Sequence, residues 1–141
     1  MATRNTQDLK KLIYDTLNND ATLQTLLGGT GRIKHGSSEQ KAEYPCVIYS
    51  IIAEVDDPYN EDRPAGITRT RLAIQVFSQT SSSDQADSIE DQTYALLHGK
   101  QLSGADVLVY SCHRVSRFPV YESDSKAWRV EARYDLVNVG Q

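Results

Sequence analysis

The chain has 141 residues and a formal net charge of −4 at pH 7. That length makes one domain over residues 1–141 the default, and a domain of this size buries roughly 68–70% of its unfolded surface, enough for a core without disulfides or metals. The acidic balance argues against a dedicated nucleic-acid binder driven by phosphate neutralisation, and no apolar run approaches the ~18 residues of a membrane span.

From the N-terminus, Met1 to Lys11 is polar and shows no signal-peptide core. Leu9, Leu12, Ile13 and Leu17 fall at helical spacing, so Thr6 to Asn18 is predicted as an amphipathic helix. Asp20 is suited to cap a second short helix through Leu27, with Leu23, Leu26 and Leu27 facing inward. Gly28-Gly29-Thr30-Gly31 then stops it, because glycine accepts the left-handed conformation at a helix exit. A short strand is expected over Arg32 to His35.

Pro45 fits the first position of a strand, where no ladder donor is required. Val47 to Ile52 is nearly continuous in apolar residues and predicts a central strand. Ala53 to Gly66 is turn-rich and polar, a long loop or the tip of an extended hairpin. The next strand, Ile67 to Ser78, places Leu72, Ile74 and Val76 on one face and Arg69, Arg71, Ala73, Gln75 and Phe77 on the other.

Ser82 followed by Gln85 has capping-box spacing. Ala86, Ile89, Thr93, Leu96 and Leu97 line one side of the helix that follows, and Gly99 ends it. Leu102 to Gly104 is expected as a turn. Val107 to Phe118 alternates imperfectly, which predicts a strand with a bulge. After a turn over Tyr121 to Lys126, Trp128, Val130, Ala132, Tyr134 and Leu136 point inward on a last strand, with Arg129, Glu131, Arg133 and Asp135 outward. The order is α-α-β-β-β-α-β-β. Short connections favour antiparallel neighbours. The predicted class is therefore α+β, a single antiparallel sheet of four to five strands with helices packed on one face.

Catalytic and metal chemistry find no support in the residue pattern. Two cysteines, Cys46 and Cys112, lie in apolar strand-like runs and read as buried reduced thiols, so folding in a cytoplasm is expected. Cys112 and His113 are adjacent, but strand neighbours point to opposite faces and cannot act together without a bulge. His35 and His98 fall near turns, as solvated or capping residues. Two cysteines and three histidines at these spacings make no zinc pattern. The glycine-rich Gly28–Gly31 stretch lacks the ending of a phosphate-binding loop and follows a helix. No cofactor is expected.

Two charged groups stand out. Glu54, Asp56, Asp57, Glu61 and Asp62 with Arg63 carry −4, a charge equal to that of the whole chain. They could bind calcium weakly but do not match the EF-hand spacing, and a solvated or partner-facing acidic loop is the better reading. Arg69, Arg71, Arg129 and Arg133 share the outward parity of their strands. They form a solvated face partnered by Glu131 and Asp135, a subunit interface, where arginine is enriched, or, as a third reading, a direct DNA contact.

The succession of elements resembles the tail completion, or tail terminator, proteins of long-tailed, siphovirus-like phages and gene transfer particles. The matching stretches are Leu23 to Ile33, Tyr44-Pro45-Cys46-Val47-Ile48-Tyr49, Leu72 to Ser78, Leu96-Leu97-His98-Gly99, Pro119-Val120-Tyr121-Glu122-Ser123-Asp124 and Arg129 to Leu136. The likeness spans roughly residues 7 to 139. The segment from Ala53 to Gly66 departs from it, being longer and more acidic. The resemblance implies a virion protein without catalytic residues that forms a ring, commonly hexameric. Such a ring caps the tail tube and joins it to the head connector or stopper. DNA passes through the lumen without specific binding, and no membrane is involved. Assembly-interface candidates are Asp56, Asp57, Glu61, Asp62, Arg69, Arg71, Arg129 and Arg133. Another neck or tail component, such as a head-tail adaptor or tube protein, is the alternative within the same class. A small cytoplasmic enzyme is the alternative outside it.

Overall fold

A computed structural model describes residues 6–29, 31–36, 44–56, 67–104, 107–124 and 126–140. Among these, three helices and six strands follow the order α1 (Thr6–Asn18), α2 (Ala21–Leu27), β1 (Ile33–His35), β2 (Cys46–Asp56), β3 (Ile67–Ser78), α3 (Asp84–Leu97), β4 (Leu102–Ser103), β5 (Val107–Glu122) and β6 (Ala127–Gly140). One sheet contains all six strands, in the order β1-β2-β3-β6-β5-β4.

The α+β class and helix placement agree with expectation, but two details of the sheet do not. It has six strands instead of four to five, and β1 runs parallel to β2, with Ile33 opposite Val47 and His35 opposite Tyr49. The stretch between β1 and β2 is longer than a tight hairpin, so nothing forces the pair to be antiparallel. The extra strand is β4, where a turn was expected: Leu102 and Ser103 pair with Val109 and Leu108, and Gly104 N–H donates to Val107 O at 2.8 Å. Two residues are too few to display a period.

Local chemistry sets the element ends. Asp20 caps α2 by accepting the Leu23 N–H at 2.9 Å, and Gly28 leaves the helix at φ +79°. That backbone region is open to glycine because it lacks a Cβ. Leu26, expected inward, is 36% exposed, since α2 turns only Leu23 and Leu27 into the core. The expected capping box at α3 is absent. Ser83 is the N-cap and its hydroxyl donates to Asp87 Oδ2 at 3.0 Å, while Gln85 accepts from Ser78 Oγ at 2.6 Å. Strand β2 begins just after a cis Tyr44–Pro45 bond and extends to Asp56, so Ala53–Asp56 belong to the sheet and not to the connection. Strand β5 likewise runs on to Glu122, and the following turn holds Lys126 at φ +54°.

All three helices bury their apolar stripes against one sheet face. Leu9, Ile13 and Leu17 of α1, Leu23 and Leu27 of α2, and Ala86, Ile89 and Leu97 of α3 share one cluster with Leu72, Ile74, Val76, Val130, Ala132, Tyr134 and Leu136. Leu97, not Leu96, is the fully buried leucine at the end of α3. The opposite face is not simply solvated: Cys46, Ile48 and Phe77 form a second small cluster with Tyr44 against it, and Ala73 and Glu131 are buried as well. No described helix is long and apolar enough to cross a membrane.

Candidate assembly face

The helix-free face is ordered by strand register. Antiparallel pairing puts Val55, Arg69, Val137 and Ser111 in one row and Ala53, Arg71, Asp135 and His113 in the next. Further along come Ala73, Arg133 and Ser116, then Ile48, Gln75, Glu131 and Phe118, then Cys46, Phe77, Arg129 and Val120. Two bulges in β5, between Val109 and Ser111 and between Arg114 and Ser116, keep its residues in step with β6.

Three of the four predicted arginines are held by carboxylates on this face. Arg71 grips Asp135 with two parallel bonds, Nε to Oδ1 at 2.9 Å and Nη2 to Oδ2 at 3.2 Å. The hydrogen bond and charge of Asp135 raise the Arg71 pKa. Arg129 and Arg133 close on opposite oxygens of Glu131, at 2.9 Å to Oε1 and 3.1 Å to Oε2, and Gln75 adds a 2.8 Å bond. Arg129 also meets Glu122 at 2.8 Å, and the Arg133 guanidinium lies 6.0 Å from the Phe118 ring centre. Two guanidiniums on one carboxylate explain how Glu131 is buried facing away from the helices.

Arg69 differs. It is exposed and makes no ion pair with any described residue. It lines a depression of about 670 Å³ with Arg71, His113, Asp135, Val55 and Val137, and Val55 is 61% exposed there. Among the described residues the other three arginines pair with Asp135, Glu131 and Glu122 on this side, and Arg69 has no described carboxylate partner. Of the predicted acidic set, Asp56 ends β2, while its side chain and Asp57, Glu61 and Asp62 lie outside the described residues.

Cys112 is buried and His113 is exposed on the opposite face. Burial pushes the Cys112 thiol up to about 12 and Cys46 up to about 11, far from a reactive thiolate. His98 caps α3, stacks on Tyr94 at 4.3 Å and accepts the Arg114 N–H on Nδ1 at 3.1 Å. Burial, then the charge of Lys10, lower the His35 pKa. Among the described residues no group of three or more His, Cys, Asp or Glu is placed to hold a metal.

One buried group escaped the sequence reading. Glu90 lies wholly inside, under the sheet, and accepts the Tyr134 hydroxyl at 2.6 Å. Its position was legible, since it follows Ala86 by four residues on the same inward stripe of α3.

The chain thus has helices on one sheet face and an opposite face ordered by cross-strand charge pairs. The family described as tail completion protein gp17 matches residues 11–137, and the chain belongs to it. The family is one of structural virion proteins, not enzymes, and the protein is a virion tail component. Thirty-four chains of solved structures are similar. One, from the virion of a native gene transfer agent particle, has TM-score 0.75 and 15% identity over 96% of each chain. No curated protein sequence matches the chain.

Proposed function

We propose that the protein acts as one unit over residues 1–141 and closes the finished tail tube as a ring of identical copies. The ring, hexameric in this reading, contacts the major tail tube protein on one side and the head connector or stopper on the other. DNA passes through its lumen. Membership of the tail completion family over residues 11–137 carries this reading.

The physics of the chain supports it. Identical copies in a ring use head-to-tail contacts, in which one patch meets a different patch of the neighbour. The acidic connection after β2 and the arginine-bearing outer face supply two unlike patches on one subunit. A conduit must release DNA, and a chain of net charge −4 lacks the cation density that grips phosphates.

The test adds purified protein to growing tail tubes. Tubes should stop growing, each with one added ring at one end in electron micrographs, and should then join to heads. Unlimited polymerisation of the protein itself would identify a tube subunit instead, and tubes that keep growing would refute the capping role.

A further inference from the structure

We propose that the depression around Arg69 receives the acidic β2–β3 connection of the neighbouring copy, and that this contact closes the ring. The inference rests on the ring reading above and names the surfaces that reading leaves open.

The depression has two characters. Part of its lining is apolar, with Val55 and Val137, and Val55 is 61% exposed. The depression is also lined by Arg69, which pairs with no described residue, and by exposed His113, next to an Arg71 fixed by Asp135. A phosphate backbone is a poor match, because one guanidinium without a described partner, beside a carboxylate and apolar lining, gives little phosphate neutralisation. A peptide that carries carboxylates together with apolar groups matches both parts. The chain contains such a peptide: Asp57-Pro58-Tyr59-Asn60-Glu61-Asp62, between β2 and β3. Its proline and tyrosine suit the apolar lining, and its carboxylates suit Arg69.

Charge chooses a second copy as the donor of this peptide. Subunits of net charge −4 repel one another unless an acidic patch meets a positive one. On the outer face the arginines outnumber their carboxylate partners among the described residues, and the β2–β3 connection is where the acid is concentrated in sequence. Joining these two patches turns repulsion into attraction and sets a direction around the ring.

Val55 and Arg69 flank the same connection in sequence, so the competing arrangement is a contact within one copy. A charge exchange between two chains separates them. One chain carries Arg69→Glu; the other carries Asp57→Lys, Glu61→Lys and Asp62→Lys. Each alone should form rings at least about tenfold less well, because like charges then face each other. An equal mixture should recover rings, since in an alternating ring every interface pairs opposite charges. A chain with all four changes should also assemble. Circular dichroism and melting that match wild type exclude misfolding, and Arg69→Gln with Asp57→Asn, Glu61→Gln and Asp62→Asn gives a milder pair should a swap fail to fold. Rings undiminished by Arg69→Glu overturn the inference. Recovery in the four-change chain without recovery in the mixture also overturns it, by placing the contact inside one copy. Wild-type protein that stays monomeric alone and on tubes refutes the ring reading itself.

Discussion

Tyr134 donates its hydroxyl to Glu90 Oε1 at 2.6 Å, and both side chains are wholly buried between α3 and the sheet. Arg114 Nη1 stands 3.7 Å from the other carboxylate oxygen, an ion pair without a hydrogen bond. The Arg114 guanidinium lies 4.3 Å from the centre of the Tyr94 ring, which stacks in turn on His98. The chain thus ties the end of α3 to β5 through polar groups inside an otherwise apolar core.

This arrangement predicts a pH dependence. Burial raises the Glu90 pKa, against the opposing effects of the Tyr134 bond and the charges of Arg114 and Arg117. The folded chain therefore holds a proton on Glu90 over a pH interval in which the unfolded chain has released it. Stability falls as pH rises through that interval, from the ordinary carboxylate pKa to the raised one. Glu90→Gln removes this contribution, so wild type should lose stability relative to it as pH climbs from acid to neutral. Tyr134→Phe removes a buried donor from this carboxyl group and should cost about 1–3 kcal/mol near neutrality. Denaturation midpoints of the three proteins across pH check both statements. A wild-type minus Glu90→Gln difference that is flat with pH would contradict the sign.

Ile74 lies at the centre of β3, fully buried beneath the helices. Ile74→Ala should cost about 2–5 kcal/mol through lost burial and a cavity. Chemical denaturation should show a lower midpoint with an unchanged slope, since the surface exposed on unfolding barely changes.

The thiols should be inert in the folded chain. Cys46 and Cys112 are buried and free, and burial pushes their pKa values up to about 11 and about 12. A thiol reagent at neutral pH should therefore modify neither until the chain is unfolded, when both should react. Rapid modification of the native protein would show that the strands carrying them open locally.

Periodicity made most of the fold legible. The stripe Leu9, Leu12, Ile13 and Leu17 defined α1, and the alternation through Leu72, Ile74 and Val76 named the inward face of β3. Where the signal was short or non-local, reading failed. The two-residue β4 shows no period, and the parallel direction of β1 depends on where the chain returns to the sheet. Glu131 has outward parity, so its burial depends on Arg129, Arg133 and Gln75 arriving from positions only the register defines. At the candidate interface the four arginines were legible as a group. Their division into three paired and one without a described partner was not, because pairing depends on cross-strand neighbours and side-chain reach.

Salt offers the last test, and it separates the two forces assigned to the contact between copies. Exposed charges are screened over about 10 Å at 0.1 M ionic strength and about 3 Å at 1 M, whereas apolar burial is not weakened by added salt in this way. Arg69 is exposed, so its attraction to the acidic connection of another copy lies in the screened regime. Ring formation by wild type should weaken as salt rises and then level off, the residual association reflecting the apolar lining of Val55 and Val137. Replacing Asp56, Asp57 and Asp62 by Asn and Glu61 by Gln should abolish most of the salt dependence and lower association at low salt to the wild-type high-salt value. The melting temperature of the isolated subunit should stay nearly constant, because surface changes away from a core or cap usually shift stability by no more than about 0.5 kcal/mol. Sedimentation velocity across a salt series measures association, and counts of tails joined to heads give the consequence for particles. A neutralised variant that assembles as well as wild type at low salt would leave the acidic connection with no part in joining copies.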